Sequence, residues 1–254
     1  MKILKFNKKK KGIYEVCLVD NTKYLLYEEI ILKYELLLTK EIPDNLVSKI
    51  LHDNNTCHAY VKALRYLNYK ARTKKEIYNY LCDYEPSIRE EVVNKLTKDG
   101  YLNDEKYIEY YINDALNLTF KGYNRILKDL VNLGIDKDII CSYLDKIDNS
   151  VWQQRVVNYL KKKYDKNTRH SINYFKDKLS ANLLNLGYHK SVIFAELDKL
   201  DYGDDISILI KEYDKITKKL QGKYEGKMLE SKIITKLVAK GFKYSDIRKI
   251  MYNK

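Results

Sequence analysis

The chain has 254 residues, 45% of them hydrophobic and 12% aromatic, with 48 Lys and Arg against 35 Asp and Glu for a net charge of +13. That apolar content supports a sizeable core and excludes a disordered chain, and no run of 18 apolar residues exists to cross a membrane. The lysines between Lys2 and Lys11 are followed by no apolar stretch of the export type, so export is not expected, and four dispersed cysteines without a C-x-x-C pair fit a reducing cytoplasm.

Only two prolines and nine glycines accompany abundant Leu, Lys, Ile and Tyr, a composition that predicts helices joined by short turns. The N-terminus differs. Residues 2–7, 12–19 and 23–27 are rich in Tyr, Ile, Val and Leu around Asp20, Asn21 and Thr22, which predicts a β-hairpin. Residues 28–38 carry Ile31, Tyr34, Leu37 and Leu38 at helical spacing, and Pro43 with Asp44 punctuates before a helix through Leu46, Ile50 and Leu51. Residues 1–55 are therefore read as a small β-hairpin and helix cap.

Four helical units are predicted to follow, at 56–102, 103–148, 149–202 and 203–254. In the first, Ala59, Ala63, Leu64 and Leu67 form an apolar stripe. Thr73 with Glu76, and Ser87 with Glu90, each have the spacing of a capping box, in which hydroxyl and carboxylate satisfy each other's orphan amides. Gly100 and Tyr101 end the unit, with Asn103 or Asp104 to cap the next helix. Residues 201–204 (Asp-Tyr-Gly-Asp) read as a hinge before the fourth unit.

The later units repeat one phrase. Its copies are Ile126, Leu130, Gly134, Ile135, Ile140, Leu144; Leu179, Leu183, Gly187, Tyr188, Ile193, Leu197; and Ile233, Leu237, Gly241, Phe242, Ile247, Met251. The glycines stand 53 and 54 residues apart, a period set by a structural unit. The phrase describes a helix, a glycine that takes the left-handed conformation at its C-terminal stop, an apolar residue suited to the contact of a Schellman motif, and a second helix. A divergent first copy runs through Ile77 and Leu81, with Glu85 and Pro86 in place of the glycine.

Basic charge is concentrated. Residues 1–12 hold six Lys and no acid, residues 62–75 hold six Lys and Arg and no acid, and residues 153–180 hold eight basic residues against Asp165 and Asp177. Together these exceed the whole net charge, so the remainder is net acidic. Clusters of this kind suit nucleic acid or a nucleoprotein, whereas a merely solvated lysine-rich surface is the plainer reading. Most of the 25 tyrosines and Trp152 fill amphipathic stripes as packing residues, though aromatics beside basic charge also stack on bases. No catalytic residues, cofactor motif or metal set is expected: Cys17, Cys57, Cys82 and Cys141 form no C-x-x-C pair, and Cys57, His58 and His52 make only a loose metal-like grouping.

Residues 63–72 (ALRYLNYKAR), 73–81 (TKKEIYNYL), 100–104 (GYLND) and 122–135 (GYNRILKDLVNLGI) resemble, in order and spacing, the RecX family of recombinase regulators. The resemblance is strongest over residues 59–144 and weaker beyond. It implies a mainly α chain of tandem three-helix repeats in an elongated curved array, without catalytic residues, that lies along the RecA filament and modulates, usually by inhibition, ATP hydrolysis, strand exchange and coprotease activity. A monomer that also touches single-stranded DNA, and no membrane, is the accompanying expectation. The sequence departs from the family at Glu85 and Pro86, at Tyr123 after Gly122, and in having only seven Arg among its basic residues. Lys contacts phosphate as a point charge, which favours backbone contact over sequence readout. Arg65, Arg72, Lys74, Lys75, Lys121, Arg125 and Lys128 border the best-matching segments and are the expected contact residues. A direct nucleic-acid-binding module and a helical scaffold for protein partners are the alternative functions.

Overall fold

A computed structural model describes residues 1–10, 12–164, 169–200 and 204–252. The described residues contain a three-stranded sheet followed by fourteen α-helices. Residues 201–203 of the expected hinge lie outside them; Asp204 caps the next helix by accepting from the amides of Ile206 and Ser207 at 3.0 and 3.1 Å. The chain packs as two compact units, one of residues 1–110 with 130–139 and the other of residues 111–129 with 140–254.

In the first unit, strands β1 (Ile3–Lys10), β2 (Ile13–Leu18) and β3 (Lys23–Tyr27) pair antiparallel in that order. The turn before β3 contains Asn21 at φ +68°. One face of the sheet supplies Val16, Leu18 and Leu26 to a core shared with Ile30, Ile31, Leu36, Ile42 and Ile50. The single helix expected over 28–38 is two short ones, α1 (Glu28–Lys33) and α2 (Leu36–Thr39), broken where Glu35 turns left-handed at φ +50°. The break lets Ile30, Ile31 and Leu36 all reach the same core, which an unbroken helix would present on diverging faces.

The boundary expected between residues 55 and 56 falls inside one continuous helix, α3 (Val47–Leu67). Its first half gives Ile50 to the sheet core, and its second half gives Ala59 and Ala63 to a separate core with Ile77, Leu81, Ile88, Val92 and Leu96. One rigid helix thus joins cap and helical region. Asn54 on α3 also clamps the edge strand, donating to Leu25 O and accepting from the Tyr27 amide, both at 2.9 Å. This side chain satisfies backbone groups that an exposed sheet edge would leave open.

Taken in threes along the chain, the helices are α3, α4 (Lys74–Tyr80) and α5 (Pro86–Lys98); α6 (Asp104–Leu118), α7 (Tyr123–Asn132) and α8 (Lys137–Leu144); α9 (Asn149–Tyr164), α10 (Ile172–Asn185) and α11 (Lys190–Leu197); and α12 (Asp205–Leu220), α13 (Gly226–Val238) and α14 (Tyr244–Tyr252). Thr73 makes the expected capping box with Glu76. Ser87 does not: Pro86 occupies the first helical position, where its fixed φ suits the turn, so α5 starts two residues early and Ser87 lies within it. Asn103 caps α6 through the Lys106 amide at 2.9 Å.

The glycine stops have the Schellman pattern. The amides of Ile135, Tyr188 and Phe242 donate to Leu130, Leu183 and Leu237 carbonyls at 3.3, 3.1 and 3.3 Å, and the repeated Leu of each copy is fully buried. Each such Leu contributes about 1.5–3 kcal/mol of burial. Gly100 ends α5 in the same way through Tyr101, but Tyr101 is exposed and Leu102 fills the apolar position.

The stops have a second role. Within the first unit, the Thr73 hydroxyl at the start of α4 donates to Leu133 O at 2.8 Å, beside Gly134, whose Cα is covered by the Lys75 side chain. Within the second unit, the Gly122 and Asn124 amides at the start of α7 donate to Leu186 O and Gly187 O at 2.6 and 3.0 Å. There too the Ser171 amide at the start of α10 donates to Lys240 O at 3.0 Å, with Ser171 and Tyr174 lying against Gly241. Each glycine therefore ends a helix and receives the start of the helix that occupies the same place in the preceding three-helix group.

Candidate functional site

The expected contact residues fall into two sets, one in each unit. In the first unit, Arg65 in the last turn of α3 and Lys74 and Lys75 in the first turn of α4 are exposed. Their backbone is fixed by the Thr73 box and by the Lys74 amide donating to Asp104 Oδ1 at 3.1 Å. Arg72 is committed inward. Its guanidinium lies 4.0 Å from the Tyr66 ring centroid and ion-pairs with Glu76 at 3.0 Å, and Tyr66 in turn stacks on Tyr80 at 3.9 Å. Arg72 positions the α3–α4 turn, while Arg65, Lys74 and Lys75 present charge to solvent.

In the second unit, Lys121 and Arg125 line an open cleft of about 650 Å³ together with Phe120, Tyr159, Lys162 and Lys163. Lys121 lies just before α7, Arg125 in its first turn, and Lys162 and Lys163 in the last turn of α9. Asn182 and Asn185 of α10 complete the wall. The Phe120 and Tyr159 rings meet edge to face at 5.5 Å, and Lys162 Nζ stands 5.6 Å from the Phe120 centroid. Lys128 is exposed one turn along α7 from Arg125.

Asp129 orders the cations at one wall. Its carboxylate ion-pairs with Lys121 at 3.0 Å and with Arg125 at 3.1 Å and accepts from the Tyr111 hydroxyl at 3.0 Å. Burial alone would push this carboxyl up, but the bonds from Lys121 and Tyr111 outweigh it and hold Asp129 below the usual carboxylate range. The same carboxylate neutralises part of the charge it positions. The cleft keeps a cationic excess through Lys162 and Lys163, and it offers ammonium and guanidinium donors, amides and ring edges within one concavity. Such a set receives phosphates and a flat base together.

Not every basic residue of the 153–180 segment is surface charge. Arg155 on α9 donates to the carbonyls of Ala115, Thr119 and Lys121 at 3.1, 2.7 and 3.2 Å and to that of Leu116. It closes the C-terminal end of α6, where four carbonyls lack helical partners. The sequence signalled the run at residues 161–163 but not its juxtaposition with Phe120 of the α6–α7 loop and the asparagines of α10, which lie on other segments of the chain.

Among the described residues no three His, Cys, Asp or Glu side chains gather as a metal site. His52 pairs with Glu91 at 3.3 Å and His58 with the Tyr84 hydroxyl at 2.8 Å. Burial, reinforced by Glu29, pushes the Cys57 thiol up to about 11, away from the thiolate that metals bind. No described helix is long and apolar enough to cross a membrane.

Comparison with known proteins gives one consistent family. The family model described as RecX, first three-helix domain, matches residues 59–96. A protein named Regulatory protein RecX from Lactococcus lactis subsp. cremoris is 31% identical over 94% of this chain and 93% of its own length. A relative of the same name from Streptococcus gordonii is 32% identical over 99% and 98% of the two chains. Among solved structures, one described as a crystal structure of regulatory protein RecX has the same fold, with a TM-score of 0.67 at 23% identity over 78% of this chain and 99% of that one. RecX from Lactobacillus salivarius matches with a TM-score of 0.54 at 27% identity over 59% of this chain and 98% of that one.

Proposed function

The chain belongs to the RecX family of regulatory proteins, and on that premise we propose that it is a non-enzymatic cytoplasmic regulator that binds the RecA-type recombinase filament on DNA and inhibits its ATPase, strand exchange and coprotease activity. It acts as a monomer and touches the filament through two basic surfaces, Arg65, Lys74 and Lys75 on one unit and Lys121, Arg125 and Lys128 with Lys162 and Lys163 on the other. The observation that carries this reading is the cleft at Lys121 and Arg125, because it brings cations and aromatic edges from the α6–α7 loop, α7 and α9 together and Asp129 holds Lys121 and Arg125 in place. Cationic surfaces on a helical scaffold suit a polyanionic filament, whose phosphates and acidic protein groups lie at repeating intervals.

Co-sedimentation with recombinase filaments on single-stranded DNA tests the proposal. The protein is expected to pellet with filaments at physiological salt, and the Arg125→Glu/Lys163→Glu variant to remain in the supernatant. Equal pelleting of both proteins would remove the cleft from the interface. The cleft also favours a second reading, direct binding of bare single-stranded DNA, which predicts that the protein pellets equally with DNA carrying no recombinase.

A further inference from the structure

We infer that a second hollow in the same unit, at the start of α9, receives an arginine side chain of a protein partner. The hollow has a volume of about 630 Å³, within the roughly 300–1,000 Å³ common to ligand clefts, and it is separate from the basic cleft. Its wall is aromatic. Tyr123 meets Trp152 edge to face at 6.2 Å and lies tilted against His189 at 5.9 Å. Its rim is acidic. Asp145 and Asp148 follow the end of α8, and the Tyr123 hydroxyl donates to Asp145 Oδ1 at 2.8 Å, so a carboxylate stands at the edge of the ring. The one lysine of the rim, Lys146, turns its ammonium onto the Tyr143 ring at 4.7 Å.

The chemistry selects the occupant. In a chain of net charge +13, a hollow bordered by carboxylates repels phosphates and attracts cations. A guanidinium is planar and weakly hydrated; it stacks on aromatic faces and forks onto a carboxylate, so it satisfies wall and rim together. An ammonium can also lie over a ring, but it lacks the planar fork that engages a carboxylate while stacked on an aromatic face. Whichever protein carries the arginine, this contact adds a directional anchor that the diffuse basic surfaces do not provide, and it does not depend on the partner being a recombinase.

Trp152 is the only tryptophan of the chain, so its emission reports on the hollow. The test titrates the full-length protein with N-acetyl-arginine amide and compares N-acetyl-citrulline amide, the uncharged analogue of nearly the same shape, and N-acetyl-lysine amide. The expected result is a saturable emission change with the arginine compound at millimolar concentration and at least tenfold weaker responses to the other two. Asp145→Asn and Asp148→Asn should each weaken the arginine response at least threefold. Asn at 148 keeps an oxygen for the Ser150 amide that Asp148 now accepts at 2.7 Å, so the α9 start survives. A citrulline or lysine response within twofold of the arginine response would overturn the inference, as would unchanged titration of both folded variants.

Discussion

Replacing Gly187 by Ala should destabilise the protein far more than the same replacement at Gly100, although the two glycines have nearly the same backbone conformation, φ +87° and +80°. The left-handed conformation alone costs an L-residue about 1–2 kcal/mol, partly offset by the smaller entropy of an unfolded Ala, for a net of about 1 kcal/mol. At Gly100 that is the whole cost, since a Cβ there meets nothing within 4 Å. At Gly187 the Cβ would collide with the backbone and Cβ of Arg125. Backbone cannot swing aside as a side-chain end can, so the α7 start must lift from the stop. Lifting breaks the bonds from Gly122 to Leu186 and from Asn124 to Gly187, at 2.6 and 3.0 Å. Each is worth about 1 kcal/mol, which brings the total to at least about 3 kcal/mol. At roughly 2–4 °C per kcal/mol for a chain of this size, Gly100→Ala should lower Tm by about 2–4 °C and Gly187→Ala by at least about 6 °C. Thermal melts followed by circular dichroism measure both. Equal shifts would refute the docking role of the glycine stop.

Other outcomes follow from the same geometry. Arg155→Lys should cost about 2–3 kcal/mol in urea unfolding, because an ammonium cannot span four carbonyls held by one guanidinium; a loss under about 0.5 kcal/mol would show that water replaces it without penalty. Thr73→Ala should cost about 1–2 kcal/mol and Thr73→Ser much less, since Ser keeps both the cap and the bond to Leu133 O; equal losses would assign the effect to the Thr methyl. The folded-state pKa of Asp129 is depressed, so its stabilisation is complete above the unfolded carboxylate value near 3.8 and disappears as pH falls through the folded value. Asp129→Asn should therefore lower stability at pH 7 and flatten the acid limb of the stability curve, and an unchanged acid limb would contradict the triad with Lys121 and Arg125. If the basic cleft engages three or four phosphates of a single strand, log K should fall with log salt at a slope of roughly −2 to −3, reduced by about 0.7 in Lys163→Gln; an unaltered slope would show that Lys163 makes no phosphate contact.

The periodic features of this fold were legible in the sequence because they are local. The Leu, Gly and apolar residues of each Schellman stop lie within six positions, as do Thr73 and Glu76, so spacing alone carried them. The failures also have local causes: Pro86 starts α5 ahead of Ser87, and Glu35 breaks a helix that its apolar spacing would continue. What spacing could not carry was the reuse of the stops as docking points, because Thr73 meets Leu133 and Gly122 meets Leu186 across some sixty residues of chain. The same holds for the candidate site. Charge counting singled out the 62–75 and 153–180 segments, and the family resemblance Lys121 and Arg125, but neither could separate Arg155 and Arg72, spent on backbone carbonyls and on Tyr66 with Glu76, from the cations that remain at the surface. Nor could either join Phe120, in the loop between α6 and α7, to Tyr159, whose place in an amphipathic stripe of α9 looks like ordinary packing.

The most direct test of the regulatory account is single-stranded-DNA-dependent ATP hydrolysis by RecA recombinase, titrated with this protein from one per hundred recombinase monomers to equimolar. Suppression at ratios well below one, when too little protein is present to cover the DNA, is the predicted result. Unchanged hydrolysis until the added protein saturates the DNA would contradict filament regulation and leave simple coating of nucleic acid by the basic surfaces.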